Sequence, residues 1–175
     1  MSIIERPSRV TLRGHPVTLV GPELEVGQPA PDFRAIDTEL QARSLADYAG
    51  HVLLMASILS VDTGVCDPEL RRFNQEAASV DPDVRVLAFS MDLPFTQKRW
   101  CGAAGIDRLI TLSDHRDASF GTAYGTLIKD LRYLARAVFV VGRDGLLRYV
   151  EYVPEVATHP NYEAALAALQ QAART

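Results

Sequence analysis

Only two cysteines occur in the 175 residues, Cys66 and Cys101, 35 positions apart. That is too few for a disulfide scaffold, and the spacing is not that of a metal site, which leaves inert thiols or redox chemistry. The histidines His15, His51, His115 and His159 are scattered without ligand spacing and read as surface residues, so neither a metal nor another cofactor is expected. Basic residues are in deficit: 18 Lys and Arg against 22 Asp and Glu give a formal net charge of −4. With no basic run of five or more, a nucleic-acid partner is not expected, because such proteins usually carry a basic excess. Long apolar runs are missing too. The longest, Val52 to Leu59 and Ala137 to Val141, are far too short to cross a bilayer. The opening residues, with Glu5, Arg6, Pro7 and Arg9, lack the apolar core of a signal peptide. The expectation is a soluble, cytoplasmic protein with no membrane partner. No repeat or low-complexity segment divides the chain, so residues 1–175 read as one domain, and a hydrophobic fraction of 47% is ample for its core.

What is present is an orderly succession of apolar runs and helical patterns. Val10-Thr11-Leu12 and Val17-Thr18-Leu19-Val20 flank Arg13-Gly14-His15-Pro16 and predict a β-hairpin over about 8–20. Gly21 to Asp32 is a loop by composition, followed by a short strand at Phe33 to Ile36 and one helical turn at Leu45 to Tyr48. Val52-Leu53-Leu54-Met55-Ala56-Ser57-Ile58 is a continuous apolar run, as expected of a strand buried on both faces. Val84 to Ser90, Leu109 to Leu112 and Ala137 to Val141 are three further strands, and Leu70, Phe73, Asn74 and Ala77 mark one face of an intervening helix. Asp144-Gly145 predicts a hairpin turn into Leu146 to Tyr152, and an amphipathic helix follows from about Tyr162 to Ala173. This order describes an α/β fold, a mixed central sheet flanked by helices. Its chemistry is expected at the C-terminal edge of a central strand.

The turn Ser60-Val61-Asp62-Thr63-Gly64-Val65-Cys66 meets that expectation, since it sets Cys66 at a helix entry. Partial positive charge and free N–H groups there favour the thiolate, the reactive form of cysteine. Cys66 is therefore a candidate nucleophile, and the competing reading is a small buried hydrophobe. Pro68 predicts that the regular helix starts near Asp67 or Pro68, with Thr63 to Cys66 a separable extension.

Strand, turn, cysteine and helix are thioredoxin-like in outline, but C-x-x-C is absent. Instead the turn resembles the peroxidatic turn of the thiol peroxidase family of peroxiredoxins. Further matches are Asp92-Leu93-Pro94-Phe95, Arg99-Trp100-Cys101-Gly102-Ala103, Leu134-Ala135-Arg136-Ala137 and Asn161-Tyr162-Glu163-Ala164-Ala165-Leu166. The likeness runs from about Val10 to Ala172 and includes the hairpin with Gly14-His15-Pro16-Val17-Thr18, which that family adds to a thioredoxin-like core.

The resemblance implies a peroxidase acting on hydrogen peroxide and organic hydroperoxides. Cys66 would attack the terminal peroxide oxygen and become a sulfenic acid, and Cys101 would condense with it to an intramolecular disulfide. Thioredoxin is the implied reductant and a homodimer the implied assembly. Thr63 would hydrogen-bond thiolate and peroxide, and Arg136 would supply a fixed positive charge. Read as isolated residues, Thr63 could be only a helix cap, Arg136 a surface ion pair and Cys101 a packing residue. A peroxide-sensing relay that passes its disulfide to a partner protein is the second functional reading. One position departs from the family pattern: Leu59 stands where the motif has a proline four residues before its threonine. The charged neighbours are distinctive as well, with Asp67 beside Cys66 and Lys98 and Arg99 next to Cys101, where they could stabilise its thiolate.

Overall fold

The computed structural model describes residues 2–175. Strands β1 (Glu5–Leu12) and β2 (His15–Val20) form an antiparallel hairpin. Its two turn residues, Arg13 and Gly14, have φ of 52° and 80°. That is the primed turn whose twist suits a tight hairpin. β1 starts three residues before the predicted 8–20, because a register shift between Arg6 and Val10 interrupts the alternation that a sequence pattern needs. The chain continues through β3 (Arg34–Ile36), β4 (Ala42–Ser44), β5 (Val52–Ser57), α1 (Cys66–Glu76), β6 (Val84–Ser90) and α2 (Pro94–Ala104). Then come β7 (Leu109–Ser113), α3 (Ser119–Ala123), β8 (Leu127–Ile128), β9 (Ala137–Val141), β10 (Leu147–Tyr152) and α4 (Tyr162–Arg174). A single 3-10 turn at Leu45–Tyr48 precedes β5.

Seven strands form the main sheet in the order β10-β9-β5-β6-β7-β3-β4. β5, β6 and β7 run parallel, and β9 pairs antiparallel with β5, so the sheet is mixed. Every residue of β5 is buried, because alternate side chains enter two cores. Val52, Leu54 and Ala56 meet Leu70 and Phe73 of α1 and Leu169 of α4 on one face. Leu53 and Met55 meet Phe89, Phe120 and Phe139 on the other, where the Phe89 and Phe120 rings stack at 3.7 Å between centroids.

β8 extends the hairpin into a three-stranded sheet, and Val10, Leu19, Ile128, Ala135 and Val156 form a third small core beneath it. Two glycines allow its connection to the body. A Cβ on Gly21 would lie 2.0 Å from the Thr122 carbonyl oxygen, and one on Gly125 would lie 2.0 Å from that of Pro22. Both have positive φ, 104° and 69°, so the crossing needs glycine on grounds of space and of backbone. The short strands β4 and β8 are not expected from the sequence, since three and two residues carry no period.

Candidate active site

β5 delivers the chain to the centre of the sheet, and the Ile58 N–H still donates to Phe89 at 3.0 Å before the backbone leaves the ladder. The turn that follows is held by one carboxylate from the loop after β6. Asp92 accepts from the Ser60 hydroxyl at 2.8 Å, the Val61 N–H at 2.9 Å and the Ser90 hydroxyl at 2.6 Å. The Thr63 hydroxyl donates to the Ser60 carbonyl at 3.3 Å and accepts from the Cys66 N–H at 3.2 Å. Its hydrogen therefore goes to the backbone of the turn, and its oxygen satisfies the amide of Cys66, the first helical residue.

Cys66 opens α1 and its side chain is buried. The predicted start near Asp67 or Pro68 is thus one or two residues late. The Asp67 N–H donates to Thr63 at 3.3 Å and the Glu69 N–H to Val65 at 3.1 Å, so the turn already belongs to the helix. Pro68, which has no N–H, leaves a gap only at Gly64.

Arg136 immediately precedes β9, and that strand's end is fixed beside β5. Ala137 pairs with Ser57, and the Ser57 hydroxyl donates to the Ala135 carbonyl at 2.8 Å. The guanidinium is 1% exposed and each of its nitrogens has a separate partner. Nε donates to the Val156 carbonyl at 2.9 Å, Nη1 to the Glu69 carboxylate, and Nη2 lies 3.1 Å from the Cys66 sulfur. Burial works against the charged guanidinium, but Glu69 and Cys66 outweigh it and raise its affinity for the proton. Arg136 is therefore no surface ion pair.

Glu69 is a site residue that the sequence reading missed. It lies one helical turn after Cys66, on the same face as Leu70 and Phe73, and is wholly buried. Its Oε1 has no hydrogen-bond partner. Burial pushes this carboxyl up to about 7 against the pull of Arg136, and Glu151 adds to the rise. The available signal was the spacing: an acid three residues after Cys66 shares its face.

Beside the turn lies a cavity of about 490 Å³ walled by Leu59, Ser60, Thr63, Met91, Asp92, Arg132 and Tyr133. It reaches Thr63 but neither Cys66 nor Arg136. Leu59 shapes this wall and packs against two of the cores as well.

Cys101 is half-buried in the last turn of α2, with its sulfur 3.7 Å from the Thr111 hydroxyl. Burial pushes this thiol up, against the Thr111 hydrogen bond. Gly105, in the left-handed region, closes α2, and the N–H groups of Gly105 and Ile106 both donate to the Cys101 carbonyl. Lys98 pairs with Glu39 at 2.9 Å and Arg99 with Asp62 at 3.7 Å, so neither attends the Cys101 sulfur as expected. Both cysteines are free. Among the described residues no cluster of three or more His, Cys, Asp or Glu could hold a metal. No described helix is long and apolar enough to cross a membrane.

A family profile described as Redoxin matches residues 25–166. The thiol peroxidase of Bacillus subtilis strain 168 is 56% identical over 156 residues, covering 89% of this chain and 93% of the relative. That of Streptococcus pneumoniae strain R6 is 51% identical over 159 residues, covering 91% and 97%. Among solved structures, a peroxiredoxin-like protein from Aquifex aeolicus superposes with a TM-score of 0.87 at 37% identity, covering 95% of this chain and 99% of that one. A thiol peroxidase from Chromobacterium violaceum superposes at 0.84 with 20% identity, over 94% and 97%, which speaks for the fold alone. This chain shares its thioredoxin-like, mixed-sheet architecture with both superposed structures.

Proposed function

We propose, since this chain belongs to the Redoxin family, that it is a thiol-dependent peroxidase reducing hydrogen peroxide and organic hydroperoxides. The observation that carries the reading is the buried guanidinium of Arg136, 3.1 Å from the Cys66 sulfur at a helix N-terminus. A thiolate is the nucleophile that a peroxide needs, and a fixed cation beside it both favours the anion and meets the charge developing on the leaving oxygen.

The peroxide approaches from the cavity walled in part by Thr63, whose hydroxyl oxygen accepts from the Cys66 N–H. The Cys66 thiolate attacks the terminal oxygen, the O–O bond breaks, and the departing alkoxide or hydroxide takes a proton and leaves as alcohol or water. Sulfur is oxidised by two electrons to a sulfenic acid. The Cys101 sulfur then attacks that of Cys66, the S–O bond breaks, and water leaves with the proton from Cys101. Thioredoxin, a dithiol, reduces the resulting disulfide. One feature supports a homodimer: Leu93, Phe95, Leu131 and Tyr133, which flank or line the cavity, are large hydrophobic side chains left exposed. The cytoplasm, where a thioredoxin pool keeps such disulfides cycling, is the matching compartment.

The test is peroxide consumption coupled to thioredoxin and its reductase. Cys66→Ser is expected to abolish turnover, because a hydroxyl is scarcely ionised near neutral pH. Cys101→Ser is expected to allow one turnover and stop at the sulfenic acid. Multiple turnover at the parental rate in either variant removes that cysteine from the scheme. A parent idle with thioredoxin but trapped in a mixed disulfide with another protein would establish a relay instead.

A further inference from the structure

Asp67 follows Cys66 and Trp100 precedes Cys101, and these two neighbours are joined to each other. The indole Nε1 of Trp100 donates to Oδ1 of Asp67 at 2.7 Å. Oδ2 of the same carboxylate accepts from Arg71 Nε at 2.8 Å, and Arg71 Nη1 donates to the Ala104 carbonyl at 3.2 Å. One carboxylate thus gathers the first turn of α1 and the last turn of α2, one residue away from each cysteine. Arg71 holds that carboxyl well into its ionised form, so the indole bonds to a charge. Other ties lie farther from the cysteines or are weaker: Asp92 holds Ser60 and Val61, Asn74 binds Asp107, Arg108 and Leu109 two turns farther along α1, and the Arg99 to Asp62 pair is long and exposed.

A disulfide requires Cα atoms within about 7 Å and a set torsion between the sulfurs. Cys66 is buried in the first turn of one helix and Cys101 packs against Thr111 in the last turn of another, so closure requires local unwinding. We propose that Asp67 is a positioning residue for disulfide formation, a latch that holds both cysteine-bearing turns wound and makes their release a single event. While the latch is closed, the Cys66 sulfur stays beside Arg136, the arrangement that reacts with peroxide. When it opens, both sulfurs become free to meet, and the sulfenic acid is consumed before a second peroxide reaches it. The latch therefore sets the ratio of disulfide closure to over-oxidation. This rests on the reading of Cys66 and Cys101 as the reacting pair.

The two ends of the latch can be removed separately. Asp67→Ala deletes the acceptor, and Trp100→Phe deletes the donor while keeping an aromatic ring in the core. Parent, both single variants and the double variant are mixed with hydrogen peroxide in rapid-quench experiments, and sulfenic acid, disulfide and sulfinic acid are counted by mass spectrometry. A hydrogen bond to a charged group, discounted for partial exposure, corresponds to roughly a three- to tenfold change in an opening equilibrium. Each single variant is expected to raise the ratio of closure rate to sulfinic-acid formation rate by that factor, and the double variant no further. A merely structural role would lower Tm and leave this ratio alone. Ratios at or below the parental value overturn the latch, and so do additive effects in the double variant. A parent that forms no Cys66–Cys101 disulfide with one equivalent of peroxide overturns the underlying reading instead, which separates the two failures.

Discussion

Three nitrogens of Arg136 serve three different masters, the Val156 carbonyl, the Glu69 carboxylate and the Cys66 sulfur. A planar fork can do this and a lysine ammonium cannot, so arginine is specified by geometry as well as charge. Thr63 is specified in a similar way. Its oxygen must accept from the Cys66 N–H and its hydrogen must reach the Ser60 carbonyl. Thr63→Val keeps the shape and loses both bonds. It is expected to cost about 1 kcal/mol of stability and to slow Cys66 oxidation, whereas Thr63→Ser restores both. Stopped-flow oxidation alongside thermal melts checks this, and equal rates in Val and Ser variants would leave the hydroxyl without a role. Of the four proposed site residues, Cys66 stands out by its place at a helix entry, whereas Cys101, Thr63 and Arg136 are marked only by the resemblance to the thiol peroxidase family. Glu69 carries only the weak signal of its spacing from Cys66, since an acid in a helix's first turn ordinarily complements the helix dipole from the surface.

The elements that carry the site differ in how plainly the sequence marks them, for a physical reason. Long apolar runs such as β5 and β9 carry their own signal, as does the two-sided burial that makes them central. α1 starts earlier than the sequence predicts, because a proline marks a boundary only where the helix cannot absorb its missing N–H. Pro68 sits in the third position of a helix that already begins at Cys66, where its missing N–H costs one bond, to Gly64, and breaks nothing else. Pro68→Ala fills that gap and joins the first turn to the rest. The helix is expected to gain about 1 kcal/mol and disulfide closure to slow by about fivefold, the opposite sign from cutting the Asp67 latch. Rapid-quench closure rates equal to those of the parent would show that the moving part lies wholly on the α2 side.

At the scale of the whole molecule, three carboxyl groups work in opposed directions. Glu155 accepts from the Thr11 hydroxyl and the N–H groups of Arg13, Gly14 and Ala157, which tie the hairpin to the segment before α4 and hold the carboxyl down at about 2. Its stabilisation is present above about 4.5 and is lost as pH falls toward 2. Glu69 and Asp114 work the other way, since burial raises them to about 7 and about 6. The folded state then binds protons more tightly than the unfolded chain, so stability falls as pH rises from about 4 toward 7. Glu69 can contribute up to roughly 3 kcal/mol to that fall. Glu69→Gln keeps the shape and cannot titrate. Its Tm is expected to decline several degrees less than the parent's between about pH 5 and about pH 7.5. Parallel declines would mean that the buried carboxyl stays ionised throughout.

The chain has a single tryptophan, and its ring is nearly buried with its N–H on the Asp67 carboxylate. All of the protein's indole emission therefore originates one residue from Cys101 and one hydrogen bond from the neighbour of Cys66. An indole that leaves such a partner for water emits at longer wavelength. The unlabelled protein thus carries its own optical gauge of whether the two helices are joined, with no second chromophore of its kind to dilute the signal.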